Sequence, residues 1–206
     1  MLTILDYGMA NLRSVQKAFE RVGHAATVSG DPADVAKADR IVLPGVGAVG
    51  DALVHLRETG LAEAVIDHIN RGRPFLGICL GLQMLFDTCH EGGEHQGLGV
   101  LRGDVVRFDV DQTHGLKVPH MGWNTLSVKR PTPLMAGLAS DAAVYFVHAY
   151  HARCTDAADI ATTTDYGGEF VSSVWRDNVM AVQFHPEKSQ AVGLSMLEQF
   201  ATMSIT

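Results

Sequence analysis

At 206 residues, 47% hydrophobic and 19% charged, the chain has the composition of a folded protein with a substantial core, and a single domain over residues 1–206 is expected. A formal net charge of −7 without any Lys/Arg cluster argues against a nucleic-acid-binding face. There is no run of about 18 apolar residues and no signal-like pattern at Met1, and the three cysteines (Cys79, Cys89, Cys154) make no disulfide framework, so a cytoplasmic protein without a membrane span is expected.

Leu2 to Leu5 reads as a buried first strand, followed by a turn at Asp6-Tyr7-Gly8. Leu12, Val15, Phe19 and Val22 keep helical spacing until Gly23 stops it. Ala25 to Val28 is a second strand, and Asp31-Pro32 reads as an N-cap followed by proline in the first helical position. A third strand, Arg40 to Leu43, runs into Pro44-Gly45-Val46-Gly47-Ala48-Val49-Gly50. Helical spacing resumes through Leu53, Leu56, Leu61, Val65 and Ile69, broken near Gly60. Alternating strands and helices predict an α/β fold: a mostly parallel central sheet flanked by helices, with sites at the carboxyl ends of its strands.

The fourth strand, Pro74 to Ile78, turns through Gly77-Ile78-Cys79-Leu80-Gly81 and continues as an apolar, helix-compatible run to Phe86. Glycine on either side of a residue between strand and helix is the pattern of a nucleophile elbow. Such a turn presents Cys79 at a helix N-terminus, where free N–H groups and the helix dipole favour a thiolate. The alternative is a buried, inert cysteine. Val179 to Phe184 is another apolar strand, and it ends in His185-Pro186-Glu187. An imidazole oriented by a carboxylate is what a thiol nucleophile needs as its base.

The glycine-rich loop after Leu43 has three readings. It matches neither Gly-x-Gly-x-x-Gly nor a P-loop, which leaves a plain connection or an oxyanion loop beside Cys79, and the elbow nearby favours the latter. Glu91 to Gly97 reads as a loop, and His90, His95 and Cys89 fit no zinc spacing. Short alternating runs over residues 100–128 suggest strands outside the parallel core. Val118 to Asn124 reads either as a turn burying Trp123 or as a partner-facing patch carrying Met121 and Trp123; the sequence leaves both open. Val144 to His148, Ile160 to Thr164 and Val171 to Trp175 are further strands, and Leu194, Leu197 and Phe200 mark an amphipathic terminal helix.

The elbow Gly77 to Gln83 together with His185-Pro186-Glu187 resembles the class I glutamine amidotransferases, whose flavodoxin-like fold is the one predicted here. Asp6 to Leu12, Pro44 to Gly47, Lys117 to Asn124 and Tyr145 to His148 narrow the resemblance to the glutaminase subunits of imidazole glycerol phosphate synthase, from Leu2 to about Phe200. The resemblance implies that Cys79 attacks the side-chain amide of glutamine, that His185 shuttles the proton, and that Glu187 orients His185. It implies an oxyanion site from the backbone of Leu80 and of Val46–Gly47, and a substrate pocket involving Gln83, Glu91, His148, Ala149 and Tyr150. One departure is Val49, where the family usually has an aromatic residue.

A glutaminase fills the chain and leaves no domain to use the ammonia, so a second subunit is expected. The resemblance names it as a (β/α)8 barrel cyclase that takes the ammonia into histidine biosynthesis. Asn11, Met121, Trp123 and Lys188 are expected to face it. Glycines at 45 and 47 make a peptide flip at Val46–Gly47 easy, so an oxyanion donor is expected to turn away until the partner engages. The chemistry calls for no metal or organic cofactor. The rival readings are a glutaminase serving another synthase, such as that of vitamin B6, a stand-alone cysteine hydrolase, and a non-catalytic regulatory module. Intact Cys79, His185 and Glu187 weigh against the last.

Overall fold

A computed structural model describes residues 1–110, 115–139 and 141–204. The chain begins β1 (Leu2–Leu5), α1 (Leu12–Arg21), β2 (Ala26–Ser29), α2 (Pro32–Lys37), β3 (Arg40–Gly45), α3 (Val49–Glu58), α4 (Leu61–Asn70) and β4 (Phe75–Cys79). One turn of helix, α5 (Leu80–Gln83), leads to β5 (Phe86–Cys89), β6 (His95–Gln96), β7 (Leu101–Arg107), β8 (His120–Thr125) and β9 (Ser127–Val128). β10 (Ala143–His148), β11 (Tyr150–Cys154), β12 (Ile160–Asp165), β13 (Glu169–Arg176), β14 (Val179–Val182) and α6 (Gln190–Thr202) complete it.

The main sheet runs β2-β1-β3-β4-β14-β13-β11-β7-β5-β6, with β12 attached to β13 and β9 to β12, and β8 and β10 form a separate antiparallel pair. β2, β1, β3, β4 and β14 are mutually parallel. β13 turns back antiparallel to β14 and begins the second half. The strands expected outside the parallel core are therefore there, although residues 111–114 of the stretch 100–128 lie outside the described residues.

The central parallel strands β4 and β14 are apolar and buried in every position because both faces of the sheet are covered there. Ile41 and Leu43 of β3 join one buried cluster with Val35, Leu53, Leu56 and Val65 from α2, α3 and α4. Val42, between them, points to the other cluster, with Val15 and Phe19 of α1 and Leu197 and Phe200 of α6. Local signals set the helix ends. Asp31 accepts the N–H of Ala33 at 2.8 Å, with Pro32 in the first turn. Gly60, at φ +74°, separates α3 from α4 where the helical spacing breaks. Among the described residues no helix is long and apolar enough to cross a membrane.

Candidate active site

β3, β4 and β14 end side by side, with Gly45 in register with Cys79 and Val182 with Ile78. Everything that follows those ends in sequence is gathered at the same edge. Cys79 sits at φ 54° and ψ −105°, a backbone conformation that costs a non-glycine residue about 1–3 kcal/mol. Both flanking glycines are obligatory. A Cβ on Gly81 would lie 1.8 Å from the carbonyl oxygen of Leu43, and one on Gly77 would lie 2.8 Å from that of Gly81.

The helix after the elbow is shorter than the sequence suggests, because Phe86 already belongs to β5. The carbonyls that would carry the helix forward are claimed by the loop before β7. Leu98 N–H donates to Met84 at 2.8 Å, and Val100 and Leu101 N–H both donate to Leu85 at 2.9 Å. A single turn has little macrodipole, so the expected dipole support for a thiolate reduces to the free N–H groups of that turn.

His185 follows β14, and its main-chain N–H is tied to the carbonyl of Tyr145 at 2.9 Å. Ser189, fully buried, accepts Tyr145 N–H at 3.0 Å and donates to the His185 carbonyl at 2.7 Å. Nδ1 of His185 lies 2.8 Å from Oε1 of Glu187, with both side chains almost wholly buried. Burial opposes a charged imidazole here, but interaction with Cys79 and then Glu187 outweighs it and raises His185 to about 10. Nε2 is buried and has no hydrogen-bond partner among the described residues, so the coupling to Cys79 acts through proximity and not through a formed bond.

Cys79 and His185 line one pocket of about 240 Å³, below the roughly 300–1,000 Å³ typical of drug-sized ligands and suited to a small substrate. Gln83, Glu91 and the backbone around His148, Ala149 and Tyr150 line it too, as do Val46, Gly47 and Leu80. Every residue assigned from sequence to catalysis, oxyanion or substrate lies in it, except Glu187, which sits behind His185.

Two of these residues hold partners that the sequence did not suggest. The N–H of Val46 donates to the carbonyl of Met9 at 3.1 Å, so the expected oxyanion donor at Val46 is occupied in this conformation. Gly47 stands at φ +89°, where glycine is favoured. Glu91 accepts the N–H of Val49 at 2.8 Å and caps α3, whose own N-cap residue, Ala48, has no polar side chain. Val49 itself is fully buried. His95 donates from Nε2 to the Glu91 carbonyl at 3.0 Å and His90 lies 3.5 Å from Asp104. Among the described residues no His/Cys/Asp/Glu group is arranged to hold a metal.

The run Val118 to Asn124 does not bury its tryptophan. It forms β8, with Met121 62% and Trp123 49% exposed. Asn11 and Lys188 are exposed as well, Asn11 beside a small recess shared with Val46, His185 and Glu187. Four residues escaped the sequence reading. Gln183 donates from Nε2 toward Cys79 Sγ at 3.6 Å, and Tyr7 donates to the Pro44 carbonyl at 2.9 Å at the start of the glycine loop. Ser189 and His120 are the others. None of the four is singled out by a local pattern; Gln183, for one, meets Cys79 across 104 residues of chain.

Fold and site together define a class of protein: the profile described as Glutamine amidotransferase class-I matches residues 3–203. Solved structures carry the same fold, among them one titled "Crystal structure of glutamine amidotransferase", with a TM-score of 0.74, 21% identity, and 97% of this chain and 98% of that chain covered. Another, PurLQS from Thermotoga maritima, gives a TM-score of 0.73 at 21% identity, over 97% and 94% of the two chains. Sequence relatives are closer. Imidazole glycerol phosphate synthase subunit HisH of Syntrophotalea carbinolica is 56% identical over 206 residues, covering 98% of this chain and 100% of the relative. The HisH subunit of Geobacter sulfurreducens is 52% identical over 98% of each chain. The chain belongs to this HisH family of class-I glutamine amidotransferases, and it is a glutaminase enzyme.

Proposed function

We propose that the chain, as a single glutaminase domain over 1–206, hydrolyses L-glutamine at Cys79 and hands the ammonia to a (β/α)8 barrel cyclase subunit in histidine biosynthesis. The observation that carries this reading is the 2.8 Å contact between His185 Nδ1 and Glu187 Oε1 at the edge of the pocket that contains Cys79. With Nδ1 held by the carboxylate, Nε2 is left for the thiol. Sγ attacks the side-chain amide carbon of glutamine, and the C–O π electrons move onto oxygen. His185 gives its Nε2 proton to the leaving nitrogen as the C–N bond breaks, which releases ammonia and leaves a γ-glutamyl thioester. Water, deprotonated by His185, then cleaves the thioester to glutamate and restores the thiol.

The oxyanion would be met by the N–H of Leu80 and by a donor from Val46–Gly47 after the Val46–Met9 bond has opened. That bond supports the expectation that the free subunit rests with this donor turned away. Gln83 and Glu91 suit the amino-acid end of glutamine. The relatives carry the name of a subunit, and the exposed Met121 and Trp123, with Asn11 and Lys188, form the surface we assign to the partner. Three free cysteines, two of them buried, fit a cytoplasmic setting.

Glutamate release, measured for the chain alone and then with the cyclase and its nucleotide ligand, tests this reading. Near-silence alone and strong activation by the liganded partner are expected. Equal, vigorous turnover in both cases would remove the switch and the partner assignment. Full activity in Cys79→Ala would remove the mechanism.

A further inference from the structure

Hydrogen bonds run unbroken from strand β8 to the thiol of Cys79. Asn124 Nδ2 donates to the carbonyl of Asp165 at 2.8 Å and lies 3.4 Å from Nε2 of His120. His120 Nδ1 is 3.1 Å from His148 Nε2, and His148 Nδ1 is 2.8 Å from the carbonyl oxygen of Tyr150. The same oxygen accepts Gln83 Nε2 at 3.0 Å. Gln83 Nε2 also reaches Gln183 Oε1 at 3.1 Å, and Gln183 Nε2 faces Cys79 Sγ at 3.6 Å.

The direction of every link from His120 inward is determined. A carbonyl only accepts, so His148 carries a proton on Nδ1. Both rings are buried, and desolvation holds His120 down at about 4 and His148 at about 3, so each carries one proton at neutral pH. Nε2 of His148 is then an acceptor, and only Nδ1–H of His120 can supply its proton. That leaves Nε2 of His120 as a lone pair facing the Asn124 amide. The amide is oriented in turn by Thr125 N–H donating to Asn124 Oδ1 at 2.8 Å. Both imidazoles are held in the Nδ1–H tautomer, the less favoured one for a free histidine side chain. Stacking fixes the His120 ring plane, with Tyr166 at 3.9 Å and Phe146 at 4.8 Å between centroids.

We propose that His120 is a positioning residue of the glutamine pocket. Through His148 it holds the Tyr150 carbonyl where Gln83 and Gln183 are aligned, with the Gln183 amide directed at Cys79 Sγ. This rests on the reading of that pocket as the glutaminase site. His120 itself does not line the pocket, so it acts through others.

Long-range ¹H–¹⁵N spectra of the full chain, labelled at histidine, read the tautomers directly, and Nδ1–H is expected at both His120 and His148. Nε2–H at either would overturn the proposal. Glutamine kinetics in the two-subunit complex test the consequence. His120→Phe keeps the stacking and removes both hydrogen bonds; His120→Asn returns an N–H close to the place of Nδ1–H. The Phe variant is expected to raise KM for glutamine about tenfold with kcat changed less than about threefold, the size of effect expected when a buried acceptor loses its donor. The Asn variant is expected to restore KM. An unaltered KM in the Phe variant, or equal damage from both variants, would overturn the positioning role. A wild-type complex with the expected tautomers and no turnover of glutamine would instead sink the glutaminase reading.

Discussion

Glu187 shows what one carboxylate does when it is buried beside one imidazole. Its contact is the second of the interactions that raise His185, after Cys79, and the imidazolium therefore persists to about pH 10. Glu187→Gln keeps the shape and removes the charge. The alkaline limb of kcat/KM is expected to move to lower pH, because a less stabilised imidazolium gives up its proton earlier. The rate at neutral pH is expected to fall by roughly 10²-fold or more, the usual scale for a compromised acid–base group. A pH–rate profile checks both, and an unmoved alkaline limb would detach Glu187 from His185. Glu91 caps α3 through Val49 and also lines the pocket. Glu91→Ala is expected to cost about 0.5–1 kcal/mol in urea denaturation through loss of the cap and, on the proposed contact with the amino-acid end of glutamine, to raise KM for glutamine. Cys79, His185 and Glu187, the residues we assign as the triad, were legible in sequence because each stands in a short, local pattern at the end of an apolar strand. Gln183 and His120 were not, since their partners are 104 and 28 residues away and strand pairing alone brings them together.

The elements that build the site tolerate little change where β3, β4 and α5 meet. Gly81→Ala would drive a methyl group into the Leu43 carbonyl, so β3 and the elbow must separate. A loss of roughly 1–3 kcal/mol is expected by urea denaturation, with glutaminase activity lost as Cys79 is displaced. Activity retained at unchanged stability would show that the elbow can relax. On the surface, Trp123→Ala removes the centre of the exposed β8 patch while leaving the pocket intact. It is expected to weaken partner binding about tenfold or more, with Cys79 still open to alkylation by a reactive glutamine analogue; unchanged binding would move the interface elsewhere. The alternating strands and helices of the first half were legible because each carries its own apolar periodicity and a local stop such as Gly23, Asp31-Pro32 or Gly60. α5 was overestimated, since its end is decided by the backbone of residues 98–101 competing for its carbonyls, which no local pattern records. β8 was ambiguous for a related reason. Its exposure depends on β10, its only partner in the small sheet.

At the scale of the molecule the buried histidines set opposing pH dependences. His120 and His148 are held well below the unfolded value of 6.5, so the unfolded chain binds more protons than the folded one between about pH 6.5 and 4. Stability therefore rises with pH across that window and is lost as the solution is acidified. His185 is raised, so its contribution is complete below 6.5 and disappears as pH climbs toward about 10. The fold is expected to be most stable near pH 6.5 to 7, between the two effects. His120→Phe separates them, because it deletes one acid-window titration and leaves His185 untouched. The slope of stability against pH between 6 and 4.5 is expected to fall by about one proton, roughly 1.4 kcal/mol per pH unit, with no change in slope above pH 7. Urea midpoints collected across pH 4.5 to 9 measure both limbs in one series. An unchanged acid slope would mean that His120 already carries its charge in the folded chain. The single-tautomer chain from Asn124 to Tyr150 could not then exist, since a doubly protonated His120 has no lone pair for the Asn124 amide.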